Sequence, residues 1–416
     1  MAEHYDALET RDPQERERAL LARLAEQVTH ARAHAPGFAR ILKGVEPGAV
    51  GSRAALARLP VTRKSDLKAL QEGAPPLGGL NATPVAKLAK LFISPGPICE
   101  PEGRGPDWWR TGRALYAAGF RPGDLVSNTF AYHFTPAGSM MECAALACGC
   151  TVLPTGVGQT EMQVAAIASL RVDGYIGTPS FLKLIVEKAD ELKADIACLK
   201  KAMVGAEYLP PALRNALGER GLSVLQCYAT ADLGLLAYES RGPDGKVCAG
   251  MIVDEGILLE IVRPGTGDPV PEGEVGEVVV TTFNPDYPLI RFATGDLSAV
   301  LPGPSPCGRT NLRIRGWMGR ADQTTKVKGM FVHPSQVAEV LKRHPEIKRA
   351  RIVVDQAEGQ DRMTLHGEVE AAPPGLADAV VATLREITKL RGEVRLRTPG
   401  ELPNDGKVIE DARKYD

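Results

Sequence analysis

Between residues 108 and 240, segments with helical periodicity alternate with short apolar runs. "WRTGRALYAAG", "GQTEMQVAAIASL" and "SFLKLIVEKADEL" carry the helical pattern, and "DLVSNTF", "CTVLP", "GYIGTP", "KAMVGA" and "SVLQCYA" are the runs between and after them. Runs this short and this apolar suit strands buried on both faces. A chain that crosses back through a helix after each strand lays its strands parallel, with helices on the sheet faces. Open sheets of this kind bind ligands beyond the carboxyl ends of their strands, so the ends of these runs are where functional residues are sought.

The flanks read differently. Residues 13–42 are predicted helical, with Leu20, Leu21, Leu24 and Val28 on one face. In "LPVTRKSDL", Thr62 is the expected N-cap of a short helix. From 250 to 300, "GILLEIV", "GEVGEVVVTTF" and "LIRFATGDLSAV" read as antiparallel strands around turns such as "RPGTGDPVPEG". After "GWMGRADQ" comes a smaller mixture of helices and strands. The expected fold class is therefore α/β. A large N-terminal domain, 1–319, holds parallel sheets with flanking helices and a hairpin or barrel-like β unit. A small α+β domain, 320–416, follows it.

Composition narrows the function classes. A formal net charge of −1 and the lack of a basic tract argue against a nucleic-acid partner. No apolar run approaches the roughly 18 residues of a membrane span. The start, "MAEHYDALETRDPQERERALL", mixes charge signs without an apolar core, so no signal peptide is expected and the cytoplasm is the expected compartment. The eight cysteines show no Cys-x-x-Cys spacing, although Cys143, Cys148 and Cys150 share one apolar stretch; buried free thiols are expected.

Eight segments then fall in a telling order: "LPVTRKSDL", "RPGD", "GCTVLPTGVGQTEMQV", "VGAEYLP", "LQCYATADLG", "PLIRFATGDL", "GRADQTTKVKGMFVHPSQVAEVL" and "LPNDGKVIEDARK". In order and spacing the chain resembles the phenylacetate–coenzyme A ligases, members of the adenylate-forming enzymes, from about residue 15 to its end. The resemblance implies two half-reactions. A carboxylate attacks the α-phosphate of Mg-ATP, giving an acyl adenylate and pyrophosphate; a thiol, usually that of coenzyme A, then displaces AMP. It also implies a mobile C-terminal lid with the active site between the domains, and a homodimer.

The same resemblance assigns roles. Lys407 matches the catalytic lysine, whose cation offsets the charge built up in adenylation. Asp296 matches the acid that accepts from the ribose hydroxyls. In "YATAD", Tyr228 and Ala229 would lie at the adenine, Thr230 would bond the α-phosphate or the substrate carboxylate, and Asp232 would hold Mg2+ where the family has glutamate. Gly205, Ala206 and Glu207 would wrap the adenine. Arg320 would contact ribose or phosphate, Asp322 would be the hinge, and Lys328 to Phe331 would shape the thiol channel. Tyr132, His133 and Phe134 would line an acyl pocket suited to an aryl acid. The tryptophans Trp108, Trp109 and Trp317 are expected to be packing residues.

One segment departs from the pattern. In the family, the stretch at Ser94–Gly103 is rich in Ser, Thr and Gly, contains a lysine, and cradles the terminal phosphates. Here it reads "SPGPICEPEG". Pro95, Pro97 and Pro101 remove N–H donors. Glu100 and Glu102 are expected to repel a polyphosphate, and no lysine stands in the segment. Ser94 and Gly96 are what remains of the phosphate grip. Three readings stay open: an enzyme with a weak hold on pyrophosphate, one that favours the thiol step, or a binding protein that has lost adenylation. Transfer of the adenylyl group to an acceptor other than a thiol is a further alternative.

Overall fold

The structure is a computed structural model that describes residues 4–263, 267–321, 323, 325–328, 330–332, 334–357, 360–403 and 408–413. The chain divides into two compact units, Met1–Met318 and Gly319–Asp416.

The first unit is built on an eight-stranded sheet. Its strand order is Arg313–Ile314, Met251–Val253, Gly234–Tyr238, Ser223–Thr230, Lys201–Val204, Gly174–Gly177, Leu125–Asn128 and Thr151–Leu153. The five strands from Ser223–Thr230 to Thr151–Leu153 run parallel, as the alternating pattern predicts. Every residue of Gly174–Gly177 is buried, the expected fate of a strand covered on both faces. Helices Thr160–Leu170 and Pro179–Leu192 pack through Val164, Ile167, Leu182 and Ile185 onto Tyr175, Ala202 and Val204. The Thr178 side chain accepts from Phe181 N–H and caps the second of these helices.

A second sheet runs Thr62–Arg63, Phe292–Ser298, Gly276–Thr282, Ile257–Val262. Its core strands are antiparallel, but Thr62–Arg63 joins parallel to Phe292–Ser298. Thr62 is therefore a strand residue rather than a helix cap, and its hydroxyl is buried without a hydrogen-bond partner among the described residues. Pairing with the strand decides against the cap. Arg291 fixes that strand at its start: its guanidinium is buried, bonds both oxygens of Glu260, and donates to the carbonyls of Ala57, Leu59 and Gly267. The N-terminal helical stretch is Pro13–His34 and Pro36–Ile41, interrupted at Pro36, which supplies no N–H to continue the first helix.

The segment read from sequence as a phosphate loop is a β-hairpin. Lys90–Ser94 and Ile98–Glu102 pair antiparallel, with Ser94 opposite Ile98 and the turn at Pro95, Gly96 and Pro97. Gly96 has φ +154°, and a Cβ there would come within 2.9 Å of the Ile98 side chain. The prolines are tolerated because Pro95 and Pro97 sit in the turn and Pro101 lies on an edge of a two-stranded ribbon.

The second unit has a four-stranded sheet, ordered Glu393–Arg397, Gln360–Val369, Ile347–Ala357, Ile409–Asp411, with helices Pro334–Arg343 and Leu376–Thr388. Val337, Val340, Val380 and Leu384 of the helices share a core with Ile352, Val354 and Leu365 of the strands. Thr325–Val327 and Met330–Val332 form a small hairpin that opens the unit. Among the described residues of the chain, no helix is long and apolar enough to cross a membrane. The cysteines are free thiols, as expected, though only Cys148, Cys150, Cys227, Cys248 and Cys307 are buried and Cys99, Cys143 and Cys198 are half-buried.

Candidate active site

Several sequence-predicted residues gather at the carboxyl ends of the parallel strands. Tyr132 follows Leu125–Asn128, Gly205 to Glu207 follow Lys201–Val204, and Tyr228 to Thr230 end Ser223–Thr230. The last of these strands turns back sharply into Gly234–Tyr238, with Thr230 opposite Gly234, and Asp232 sits in the turn. Gly234 has φ +73°, and a side chain there would strike the Trp109 carbonyl, so the turn depends on glycine.

Asp296 lies beside this turn on Phe292–Ser298. Tyr228 Oη donates to Asp296 Oδ2 at 2.7 Å, and Trp317 Nε1 donates to Asp296 Oδ1 at 3.1 Å. Tyr228, expected against the adenine, thus holds the acid in place. Trp317, expected to be a packing residue, is exposed and orients the same acid. Trp108 and Trp109 likewise donate to carboxylates, those of Asp286 and Glu102. An indole N–H near buried acids is a donor before it is a packing surface. Ala229 packs with Phe92, Trp109 and Met140, which joins the Ser94 hairpin to the Asp232 turn.

Asp232 is 4% exposed. Its Oδ2 accepts from Lys64 Nζ at 2.6 Å, while its Oδ1 is buried with no hydrogen-bond partner among the described residues. Lys64 follows directly on Thr62–Arg63, and the pairing of those residues with Phe292 and Ala293 carries it 168 positions across the chain to Asp232. Burial pulls the Lys64 pKa down, but the charges of Asp232, Glu100 and Asp296 outweigh it and raise it, so Lys64 is a cation here. Sequence reading missed this residue. The signal was the "RKSD" within a quoted segment, but nothing local tells which lysine of a helix start faces an acid. Lys64 thus brings a cation to the Asp232 turn from outside Ser94–Gly103.

The two glutamates of the hairpin have separate fates. Glu102 accepts from Lys90 Nζ at 2.8 Å, Ser139 Oγ at 2.6 Å and Trp109 Nε1 at 3.0 Å. Its charge is spent on the scaffold, which corrects its expected repulsion of a polyphosphate. Glu100 is fully buried; Ser94 Oγ donates a short hydrogen bond to its Oε1, and Ser94 N–H donates to its Oε2 at 3.2 Å. Burial, with the nearby Asp232 charge, pushes the Glu100 carboxyl up to about 7, against the opposing pull of Ser94 and Lys64.

Other predicted residues are placed as follows. Thr230 Oγ1 accepts from Leu233 N–H at 3.2 Å. Gly205 N–H donates to the Gly177 carbonyl at 3.1 Å, and Ala206 has φ +64°. Glu207 is exposed, with Oε2 accepting from Ser180 N–H at 3.3 Å. Tyr132 is half-buried; its hydroxyl accepts from Asn128 Nδ2 at 2.8 Å, and burial together with Glu142 raises its pKa. His133 and Phe134 do not form an enclosed wall: both are exposed, Phe134 by 72%, with φ +60°. Ile93 N–H bonds the Phe134 carbonyl, so the backbone is held against the hairpin while the ring turns outward. Arg320 is half-buried at the start of the second unit, and Lys328 there is exposed, its N–H on Asp361 Oδ2 at 2.9 Å. Lys407 and Asp322 lie outside the described residues.

A nucleotide fits the donor set, with a buried acid for a diol and a lysine–carboxylate pair for phosphate. The unpartnered Asp232 Oδ1 also fits a cation, since Mg2+ is commonly held by one or two carboxylates and completed by substrate phosphates and water.

Residues 109–284 match the AMP-binding enzyme family. The phenylacetate-coenzyme A ligase of Thermus thermophilus is 32% identical over 406 residues, 92% of this chain and 89% of that protein. The phenylacetate-coenzyme A ligase of Aromatoleum evansii is 31% identical over 366 residues, 84% and 80% of the two chains. A crystal structure of 2-hydroxyisobutyryl-CoA ligase in complex with 2-HIB-AMP and CoA shares the fold, with a TM-score of 0.75, 24% identity, and 100% of this chain and 93% of that chain covered. These findings define the class: an adenylate-forming acid–thiol ligase. Within it, the chain belongs to the phenylacetate–coenzyme A ligase family.

Proposed function

We propose that this enzyme couples an aryl or related carboxylate to coenzyme A through an acyl adenylate, at the expense of ATP. The observation that carries this reading is a pair of anchored acids, Asp296 held by Tyr228 at 2.7 Å and Asp232 held by Lys64 at 2.6 Å. The first is suited to a ribose, the second to the phosphates beside it.

In the first half-reaction a carboxylate oxygen of the acid bonds the α-phosphorus and pyrophosphate leaves. Negative charge grows on the phosphates, and Lys64 is a cation fixed against the Asp232 carboxyl. Lys407 adds a second cation, and Arg320 contacts the nucleotide. Asp232, through its remaining oxygen, would hold Mg2+, which when bound neutralises charge on the departing pyrophosphate. Asp296 orients the ribose, and Gly205, Ala206 and Glu207 border the base. In the second half-reaction the thiol sulfur bonds the acyl carbon and AMP leaves with the bonding electrons of the broken carbon–oxygen bond. Asp322 serves as the hinge between the two steps. The enzyme works in the cytoplasm as a homodimer.

The test is AMP and acyl-CoA formation from Mg-ATP, coenzyme A and a panel of aryl and short aliphatic acids. Lys64→Ala is expected to lower adenylation about 100-fold, the scale of losing one preorganised charge partner. Lys407→Ala is expected to abolish it. Formation of AMP from no acid on the panel would sink the reading. AMP formation without an acyl-CoA would instead favour a non-thiol acceptor.

A further inference from the structure

At the tip of the hairpin, the two Ser94 donors that a terminal phosphate would use are already taken. Ser94 offers a hydroxyl and a backbone N–H on the same side, and both go to the Glu100 carboxyl. Pro95 and Pro97, which flank Gly96, have no N–H to offer instead. A carboxylate gripped by a serine hydroxyl and an amide N–H has the bonding pattern of a bound phosphate oxygen. The hairpin packs beside the Asp232 turn through Phe92 and Ala229, and the charges of Lys64 and Asp232 act on Glu100 there. Glu102, two residues on, has its own lysine, serine and indole, which shows that the hairpin can neutralise a buried acid where the scaffold calls for one.

We propose that Glu100 is a built-in substitute for a phosphate group, occupying the terminal-phosphate subsite and biasing the nucleotide site toward nucleoside monophosphates and acyl adenylates over nucleoside triphosphates. The proposal rests on the nucleotide-site reading above and makes Glu100 its specificity-determining residue. ATP must displace this carboxyl from Ser94 to seat its terminal phosphates, whereas AMP and an acyl adenylate need not. The enzyme then holds pyrophosphate weakly and its adenylate strongly. That balance favours consumption of the adenylate by the thiol over its return to ATP.

The direct experiment is calorimetric titration of the full chain with inorganic pyrophosphate and, separately, with AMP. It compares wild type, Glu100→Gln, Glu100→Ala and the double variant Glu100→Ala/Ser94→Ala. Thermal unfolding of each checks that it is folded. Pyrophosphate is expected to bind Glu100→Gln about tenfold more tightly than wild type, and Glu100→Ala more tightly still, the scale of freeing hydrogen bonds to a charged ligand. Adding Ser94→Ala is expected to remove most of that gain, because the freed donor is the Ser94 hydroxyl. If Glu100→Gln does not fold, the two alanine variants carry the same comparison. Equal pyrophosphate affinity with and without the Glu100 carboxyl would overturn the proposal. So would a gain that survives Ser94→Ala in full, since charge relief alone would then explain it. Failure of AMP to bind any of the proteins would sink the nucleotide-site reading, and the pyrophosphate comparison would still decide the proposal.

Discussion

Glu100 and Glu102 stand two residues apart on one strand, both buried, and the molecule treats them in opposite ways. Glu102 meets an ammonium, a hydroxyl and an indole N–H. Glu100 meets one serine and faces the like charge of Asp232. A buried acid with three donors is part of the framework, because removing it takes an acceptor from all three and leaves the buried Trp109 indole N–H without one. A buried acid with one donor residue and a like charge nearby is held against its preference for water, as happens at functional sites. Sequence alone reads the two as one acidic pair.

The largest test of this contrast is Glu102→Ala. It removes the acceptor of Ser139 and of the buried Trp109 indole, leaves Lys90 only the Ser139 hydroxyl, and is expected to cost about 3 kcal/mol of unfolding free energy. Urea denaturation measures it; a cost no larger than that of Glu100→Gln would erase the distinction between the two acids.

Next comes pH. The folded Glu100 carboxyl titrates at about 7, above its ordinary value of 4.5. Between those values the folded chain keeps a proton that the unfolded chain has lost. This contribution to stability is fully present below about 4.5 and is lost as pH rises toward 7, by up to about 1.4 kcal/mol per pH unit. Denaturation midpoints of wild type minus those of Glu100→Gln, taken from pH 5 to 8, should fall across that window and level off above it. A flat difference would mean that Glu100 is compensated as fully as Glu102.

The smallest effect is expected from Ser139→Ala. It removes one of Glu102's three donors while Lys90 and Trp109 remain, at a cost of about 1 kcal/mol, with pyrophosphate binding unmoved. A change in pyrophosphate affinity here would tie Glu102 to the subsite and blur the contrast.

The sheet of the first unit was legible because its evidence is local. "GYIGTP" and "KAMVGA" are too short and too apolar for surface helices, and the segments between them have helical spacing, so parallel order follows with little tertiary information. Asp296 and Tyr228 were legible by their place in quoted segments, but their bond to each other was not, because it joins two sheets. Lys64 went unread for the same reason. Its role exists only because Thr62–Arg63 pairs with Phe292–Ala293, and strand pairing at that separation leaves no local mark. The outward turn of Phe134 was equally hidden, since its backbone carbonyl is claimed by Ile93 N–H and its φ is positive.

By itself the sequence determined the alternating strands and helices of the parallel sheet, where the second unit begins to differ in pattern, and which acids and cations exist to be used; the strand at Thr62–Arg63 and the hairpin at Lys90–Glu102 came only with the tertiary structure. Periodicity and turn chemistry act within a few residues of chain, so they can be read there. Which of those charges meet was decided by the tertiary structure. Whether a glutamate is a framework bond or a mimic of a phosphate depends on what stands within about 3 Å of it. The direct partners, Ser94 for Glu100 and Lys90, Trp109 and Ser139 for Glu102, lie within 37 residues of chain, but the charges of Lys64 and Asp232 that act on Glu100 reach it only through the tertiary structure.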